Sequence, residues 1–359
     1  MAARGPADLR TSEGTRAAAW RGVLVAALTV CGGCSPEGLP SGANTAPTPG
    51  PGFEFAPSDS LLELSSELAH VVNRQLRTET GTPAAPRLAG DRSVPSGQLA
   101  AALALFHTHC SGCHGSTGEG TGPWSDLLPV LPRDFRRGIF KFQSTPYGAR
   151  PVRDDLERTI SRGIPSSLMP PFGHLPEARR KQLALAVELL ARRGEFESRL
   201  VLEVELQGEG LADSAVDQIS AEIAAEWQEA AEQVIQPLSP QPEFTPDRVA
   251  RGKELFVQKG CAKCHGEDGR GQTEQNLQAG LRDVWGHPVQ AADLTTGRLK
   301  GGSAPLDIYR RILGGINGTP MPSFRTILWA EPESIWDLVA WVRHLGRHDQ
   351  QTSRGSTDD

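Results

Sequence analysis

Apolar residues along the chain fall into helical stretches separated by runs of Pro and Gly. Leu61, Leu62, Leu64, Leu68, Val71, Val72 and Leu76 recur at steps of three and four, which predicts an amphipathic helix over residues 59–77. Helices are also predicted over 176–193 and 332–346, each introduced by a proline, Pro176 and Pro332. Between them, Arg199 to Leu206 (R-L-V-L-E-V-E-L) alternates polar and apolar residues and reads as a strand, whereas Val216, Ile219, Ile223, Trp227 and Val234 suit one helix face. The run from Gln236 to Pro246 is too rich in proline for a helix interior and reads as a linker into a new domain starting near residue 246.

The N-terminus follows a different logic. Arg4, Arg10, Arg16 and Arg21 precede the short apolar run Gly22 to Val30, a basic and then apolar order that reads as an export signal over residues 1–34. Its ending, V-C-G-G-C-S, resembles a bacterial lipoprotein cleavage box in which Cys34 would be lipidated and become a membrane tether. The alternative is a secretory signal whose cysteines leave with it. Residues 35–58, dominated by Pro, Gly, Ser and Thr, read as a flexible tether.

Length allows two ordinary domains, since one takes roughly 100 to 200 residues. A net charge of -6 offers no basic footprint for nucleic acid. The acidity is local: residues 194–245 hold twelve Asp or Glu against the single base Arg199. Such a connector can steer a basic partner through residues such as Glu222, Glu226 and Glu229, or simply keep itself solvated.

An internal repeat organises the rest. L-F-H-T-H before Cys110 pairs with L-F-V-Q-K-G before Cys261, D-F-R-R-G-I-F-K (134–141) with D-L-T-T-G-R-L-K (293–300), and residues 155–172 align without a gap to 307–324. The expected organisation is a signal (1–34), tether (35–58), N-terminal helix and linker (59–96), first domain (97–193), acidic connector (194–245), second domain (246–347) and disordered tail (348–359).

The chemistry sits at the same place in each copy. Cys110, Cys113 and His114 form C-S-G-C-H, and Cys261, Cys264 and His265 form C-A-K-C-H. Two thiols at this spacing can each form a thioether with a haem vinyl group, with the adjacent histidine placed beneath the iron. A zinc site would want four clustered protein ligands, and a redox dithiol a βαβ context. Apart from Met1, the only methionines are Met169 and Met321, at equivalent repeat positions and beside prolines, 55 residues after His114 and 56 after His265. They are candidate sixth ligands to iron; the alternative role is filling gaps in the core.

With these motifs in place, each repeat resembles the class I cytochrome c domain, over residues 97–193 and 246–347. The D-F-x-x-G-x-F-K segment and the I-x-x-G-I before the methionine are similar to tandem cytochromes of bacterial respiratory oxidoreductases. The resemblance implies an all-α fold, two covalently bound haem c groups and His/Met ligation by His114, Met169, His265 and Met321. It also implies an aromatic on the closing helix, which Trp341 supplies in the second copy while Ala186 stands in its place in the first. Arg133, Arg158, Trp285 and Arg310 are candidate partners for haem propionates. His107, His109, His174, His287, His344 and His348 have no counterpart in the other repeat and are read as structural or surface residues, as is His70 beside the apolar stripe of the N-terminal helix. The expected function is periplasmic electron transfer between redox proteins, with a dihaem peroxidase-like enzyme, or an electron-transfer subunit of a larger respiratory complex, as the alternatives.

Overall fold

The amphipathic N-terminal segment folds as two helices, α1 (Asp59–Glu63) and α2 (Ser66–Thr80), broken where the hydroxyl of Ser65 caps the second by accepting from the Leu68 amide. The computed structural model describes residues 54–208 and 210–355, with side chains as far as Arg347. The export signal, Cys34, most of the tether and the last four residues lie outside the described residues.

After a two-residue hairpin (Gly81–Thr82 with Ala85–Pro86), the first repeat consists of α3 (Ser96–His109), the single turn α4 (Ser111–His114), α5 (Arg153–Arg162) and the long α6 (Glu177–Gln207). The connector contributes α7 (Asp213–Glu229). The second repeat follows with α8 (Pro246–Gln258), α9 (Ala262–His265), α10 (Glu274–Leu277), α11 (Pro305–Gly314), α12 (Arg325–Leu328) and α13 (Pro332–Gly355). Thr245 caps α8 and Pro246 opens it, at the domain boundary expected near residue 246. The fold is all-α, and both repeats lie in one compact unit of the chain. No described helix is long and apolar enough to cross a membrane.

Three expectations are corrected. The strand read at residues 199–206 is the end of α6, so the closing helix runs past Arg193 without interruption. Phe196, Leu200 and Val204 are buried while Leu202 and Leu206 are exposed. Every fourth residue satisfies both an alternating and a helical pattern, and packing against the rest of the first domain selects the helix. The connector is therefore helical over much of its length rather than irregular. The tail expected from residue 348 continues α13 as far as Gly355.

Two cores result. One joins α3, α5 and α6 to Leu61, Val72 and Leu76 of the N-terminal helices and to Val216, Ile219, Ile223 and Trp227 of α7. The other joins α8, α11 and α13 to Ile235 of the linker. That linker is pinned along the second domain: the Leu238 amide donates to the Tyr309 hydroxyl (2.9 Å), and the Trp336 indole donates to the Ser239 carbonyl (3.0 Å).

Candidate functional site

In each repeat the C-x-x-C-H segment closes one helical turn on its first cysteine. The Cys110 carbonyl accepts from the His114 amide at 2.9 Å, and the Cys261 carbonyl from the His265 amide at 3.0 Å. Cys110, Cys113, Cys261 and Cys264 are all free thiols, so neither pair is a disulfide. Burial pushes the Cys110 thiol up to about 12 and the Cys261 thiol up to about 11, with the neighbouring cysteine adding to the effect in both. A low-pKa redox dithiol is the opposite of this. Among the described residues there is no cluster of three or more His, Cys, Asp or Glu side chains suited to a metal ion.

The histidines are oriented the same way. His114 Nδ1 lies 3.3 Å from the Arg133 carbonyl and His265 Nδ1 lies 3.0 Å from the Ala292 carbonyl, both at the residue before the repeat's Asp-x-x-x-Gly turn. A carbonyl can only accept, so Nδ1 carries the proton and Nε2 keeps its lone pair for a metal. Burial favours the neutral ring. It brings His114 down to about 4, helped by the charge of Arg133 against its carbonyl bond, and it lowers His265 as well.

The carbonyl is held in place by a turn common to both copies. The Asp134 carboxylate accepts from the Arg136 amide and the Asp293 carboxylate from the Thr295 amide, each at 2.9 Å. The Phe135 amide donates to Gly118 and the Leu294 amide to Gly269. A Cβ on Gly118 would meet Phe135 and Leu190; on Gly269 it would meet Leu294 and Leu345. These are the same contacts between equivalent residues. Here glycine is needed for close approach.

The methionines sit in matching loops. The Ile164 amide donates to the Met169 carbonyl and the Ile316 amide to the Met321 carbonyl, both at 3.1 Å. The Ser167 and Thr319 hydroxyls each donate to the isoleucine carbonyl and accept from the methionine amide. Gly163 (φ 67°) and Gly315 (φ 73°) end the preceding helices, and a Cβ on either would run into the returning strand of its loop. Both methionines are half-buried.

The four residues proposed for propionates are engaged by protein groups. The Arg133 guanidinium lies 3.7 Å over the Trp285 ring and 3.4 Å from Asp283. Arg158 pairs with Asp155 at 3.0 Å, and Arg310 donates to the Ile235 carbonyl at 3.2 Å. The Trp285 indole nitrogen is buried without a hydrogen-bond partner. Unforeseen in the sequence was the contact between the domains: Asp283, 1% exposed, takes Arg133 and Lys141 of the first domain, and Arg137 donates to the Val284 carbonyl. Asp283 and Trp285 lie in a loop with no counterpart in the repeat alignment, so no internal comparison marked them.

A helical domain with a C-x-x-C-H turn, an oriented neutral imidazole and a downstream methionine loop is the architecture of a c-type cytochrome. Comparison with sequence families agrees. The family described as cytochrome c matches residues 249–346, and that described as cytochrome C oxidase, cbb3-type, subunit III matches residues 97–185. The chain thus carries two cytochrome c domains in tandem, the arrangement of a dihaem c-type cytochrome. Among solved structures, a chain of the Kuenenia stuttgartiensis reducing HAO-like protein complex is similar, at 29% identity and TM-score 0.52, with 72% of this chain and 99% of that one covered. Comparison with curated protein sequences finds no significant match.

Proposed function

We propose that this protein is an exported electron carrier in which His114 with Met169, and His265 with Met321, hold two covalent haems. Bound haem supplies the one-electron ferric/ferrous couple. The chain supplies the rest: Cys110, Cys113, Cys261 and Cys264 provide the attachment sulfurs, the Arg133 and Ala292 carbonyls fix the imidazoles, and the proline-flanked methionine turns offer soft thioethers that favour the reduced state. The observation that carries this reading is the repetition of one ligand frame, carbonyl, histidine and methionine turn, in two domains with different surroundings. A peroxidase-like enzyme would want an open position on one side, whereas both copies present a methionine.

Localisation outside the cytoplasm, in the periplasm, rests on the export signal and on the usual export of c-type cytochromes. Anchoring through a lipid on Cys34 remains part of the proposal. Donor and acceptor would be redox proteins meeting the carrier through small, transient contacts. A second reading, an electron-transfer subunit of a larger assembly, is favoured by the similar chain, which comes from a complex.

The test is spectroscopic. The oxidised holoprotein should carry two haems and show the methionine-to-iron charge-transfer band, and Met169→Ala and Met321→Ala should each remove half of it. A band untouched by either change would overturn the assignment. Native protein eluting well above the 38.5 kDa of the chain would favour the subunit reading.

A further inference from the structure

The two methionine loops follow one design but not at equal cost. Ser166 (φ 61°) and Leu168 (φ 55°) are the non-glycine residues with positive φ among those described, three residues and one residue before Met169. Their counterparts before Met321 are Gly318 (φ 72°) and Pro320. Both loops therefore make the same left-handed turn at the first position. Only the second makes it with the residue that has no Cβ to crowd the carbonyl. Leu168 is moreover an apolar side chain 66% exposed, so nothing packed on it holds the strained backbone in place.

The surroundings differ in the same direction. The hydrogen bonds of the Met169 turn run within residues 164–169. The Met321 loop is clamped by other parts of the molecule. Asn317, 7% exposed, accepts from the Gly148 amide of the first domain at 3.2 Å and donates to Gln143 at 3.4 Å. The Gly318 carbonyl accepts from the Val284 amide at 3.0 Å. A Cβ on Gly318 would stand 2.9 Å from the Trp285 ring and 3.1 Å from Ile139, so the turn is closed in from two sides. Met169 itself packs against the first core, so the difference lies in the backbone that carries it: left-handed strain on one loop, relief and clamping on the other.

We propose that the first domain's iron is the one whose sixth position opens, admitting small neutral ligands with a single donor atom in competition with Met169, while Met321 keeps the second closed. The inference rests on the His/Met reading above. It makes the tandem functionally unequal: one centre is a ligand-accessible site, the other a dedicated relay.

The experiment is a titration of the full-length ferric holoprotein with imidazole, following the methionine charge-transfer band. The band should vanish in two halves, the first at an imidazole concentration at least about tenfold lower than the second, from relief of two left-handed residues. Met169→Ala should abolish the half lost first. Ser166→Gly should move that half up by about fivefold and leave the other unmoved, while Asn317→Ala should bring the second half down. A single phase with the resting band intact overturns the asymmetry alone, as does a low-concentration half that belongs to Met321. Absence of the band at rest overturns the ligand assignment and this inference with it.

Discussion

In the first cytochrome domain the α3/α6 pair buries Ala102 and Ala186 beneath an added layer formed by α1, α2 and α7; in the second, the α8/α13 pair buries Gly252 beside Trp341 with no such layer. The Cys-His turn and the methionine loop are the same in both. What differs is the source of apolar contact around it. The first copy lacks the closing-helix aromatic and recruits flanking sequence, including Trp227 of α7, into its core. The second keeps Trp341 and gains its outer contacts from docking and from the pinned linker. Haem binding therefore fixes the frame and leaves the scaffold free to vary, since buried area can come from any neighbour with the right volume.

The sharpest way to break the comparison is to strip the added layer. Ile223→Ala, at a fully buried position of α7, should cost the first domain about 3 kcal/mol and leave the second near its original midpoint. Denaturant unfolding followed at each haem separately would show it, and equal losses in both domains would mean that the layer is shared. Next comes Gly252→Ala, which installs in the second domain the residue the first has at Ala102. An added Cβ would stand 1.9 Å from the Asp337 carbonyl, so about 1 to 3 kcal/mol should be lost from the second domain.

The docking between domains should respond to acid. Burial opposes the charge of Asp283, but the hydrogen bond and charge of Lys141, the His287 amide and Arg133 together hold its carboxyl below the ordinary 3.8. A carboxyl depressed in the folded state contributes stability that is present above its unfolded value and is lost as pH falls through the folded one. Docking should thus be constant above pH 3.8 and weaken below it. Asp283→Asn should remove about 2 kcal/mol at neutral pH and flatten that acid limb. Unfolding midpoints against pH for both proteins would test the sign. The smallest effect is expected at the acidic connector. Arg199 already pairs with Glu226 at 2.6 Å and lies 3.4 Å from the exposed Glu222, so Glu222→Gln should change stability by less than about 0.5 kcal/mol. Reduction kinetics unchanged by that substitution at low salt would favour solvation over steering.

The repeated C-x-x-C-H turn and methionine loop were legible in the sequence because covalent chemistry needs fixed spacing, and the repeat supplied a second copy to check each position against. The all-α fold followed from that resemblance and from helical periodicity. Arg199 to Leu206 were misread because Leu200 and Val204 satisfy both periods at once, and only contact with the first core separates them. Arg133 and Trp285 stand separately among the propionate candidates, a role that says nothing of their contact with each other. Their stacking depends on how two domains meet, and long-range docking leaves no local pattern. The asymmetry of the methionine loops, by contrast, was written in Ser166 against Gly318, but it acquires meaning only once both φ angles are positive.

The unbroken α6 also changes what counts as a module. At 1.5 Å per residue, its 31 residues extend about 46 Å, and the expected boundary after Arg193 falls inside it. A fragment ending there would sever the helix ahead of Phe196, Leu200 and Val204, all of them fully or almost fully buried. The heritable unit is thus larger than one cytochrome domain. Any recombination, truncation or fusion that respects this protein should cut in the proline-rich stretch before Pro246, where no helix is divided.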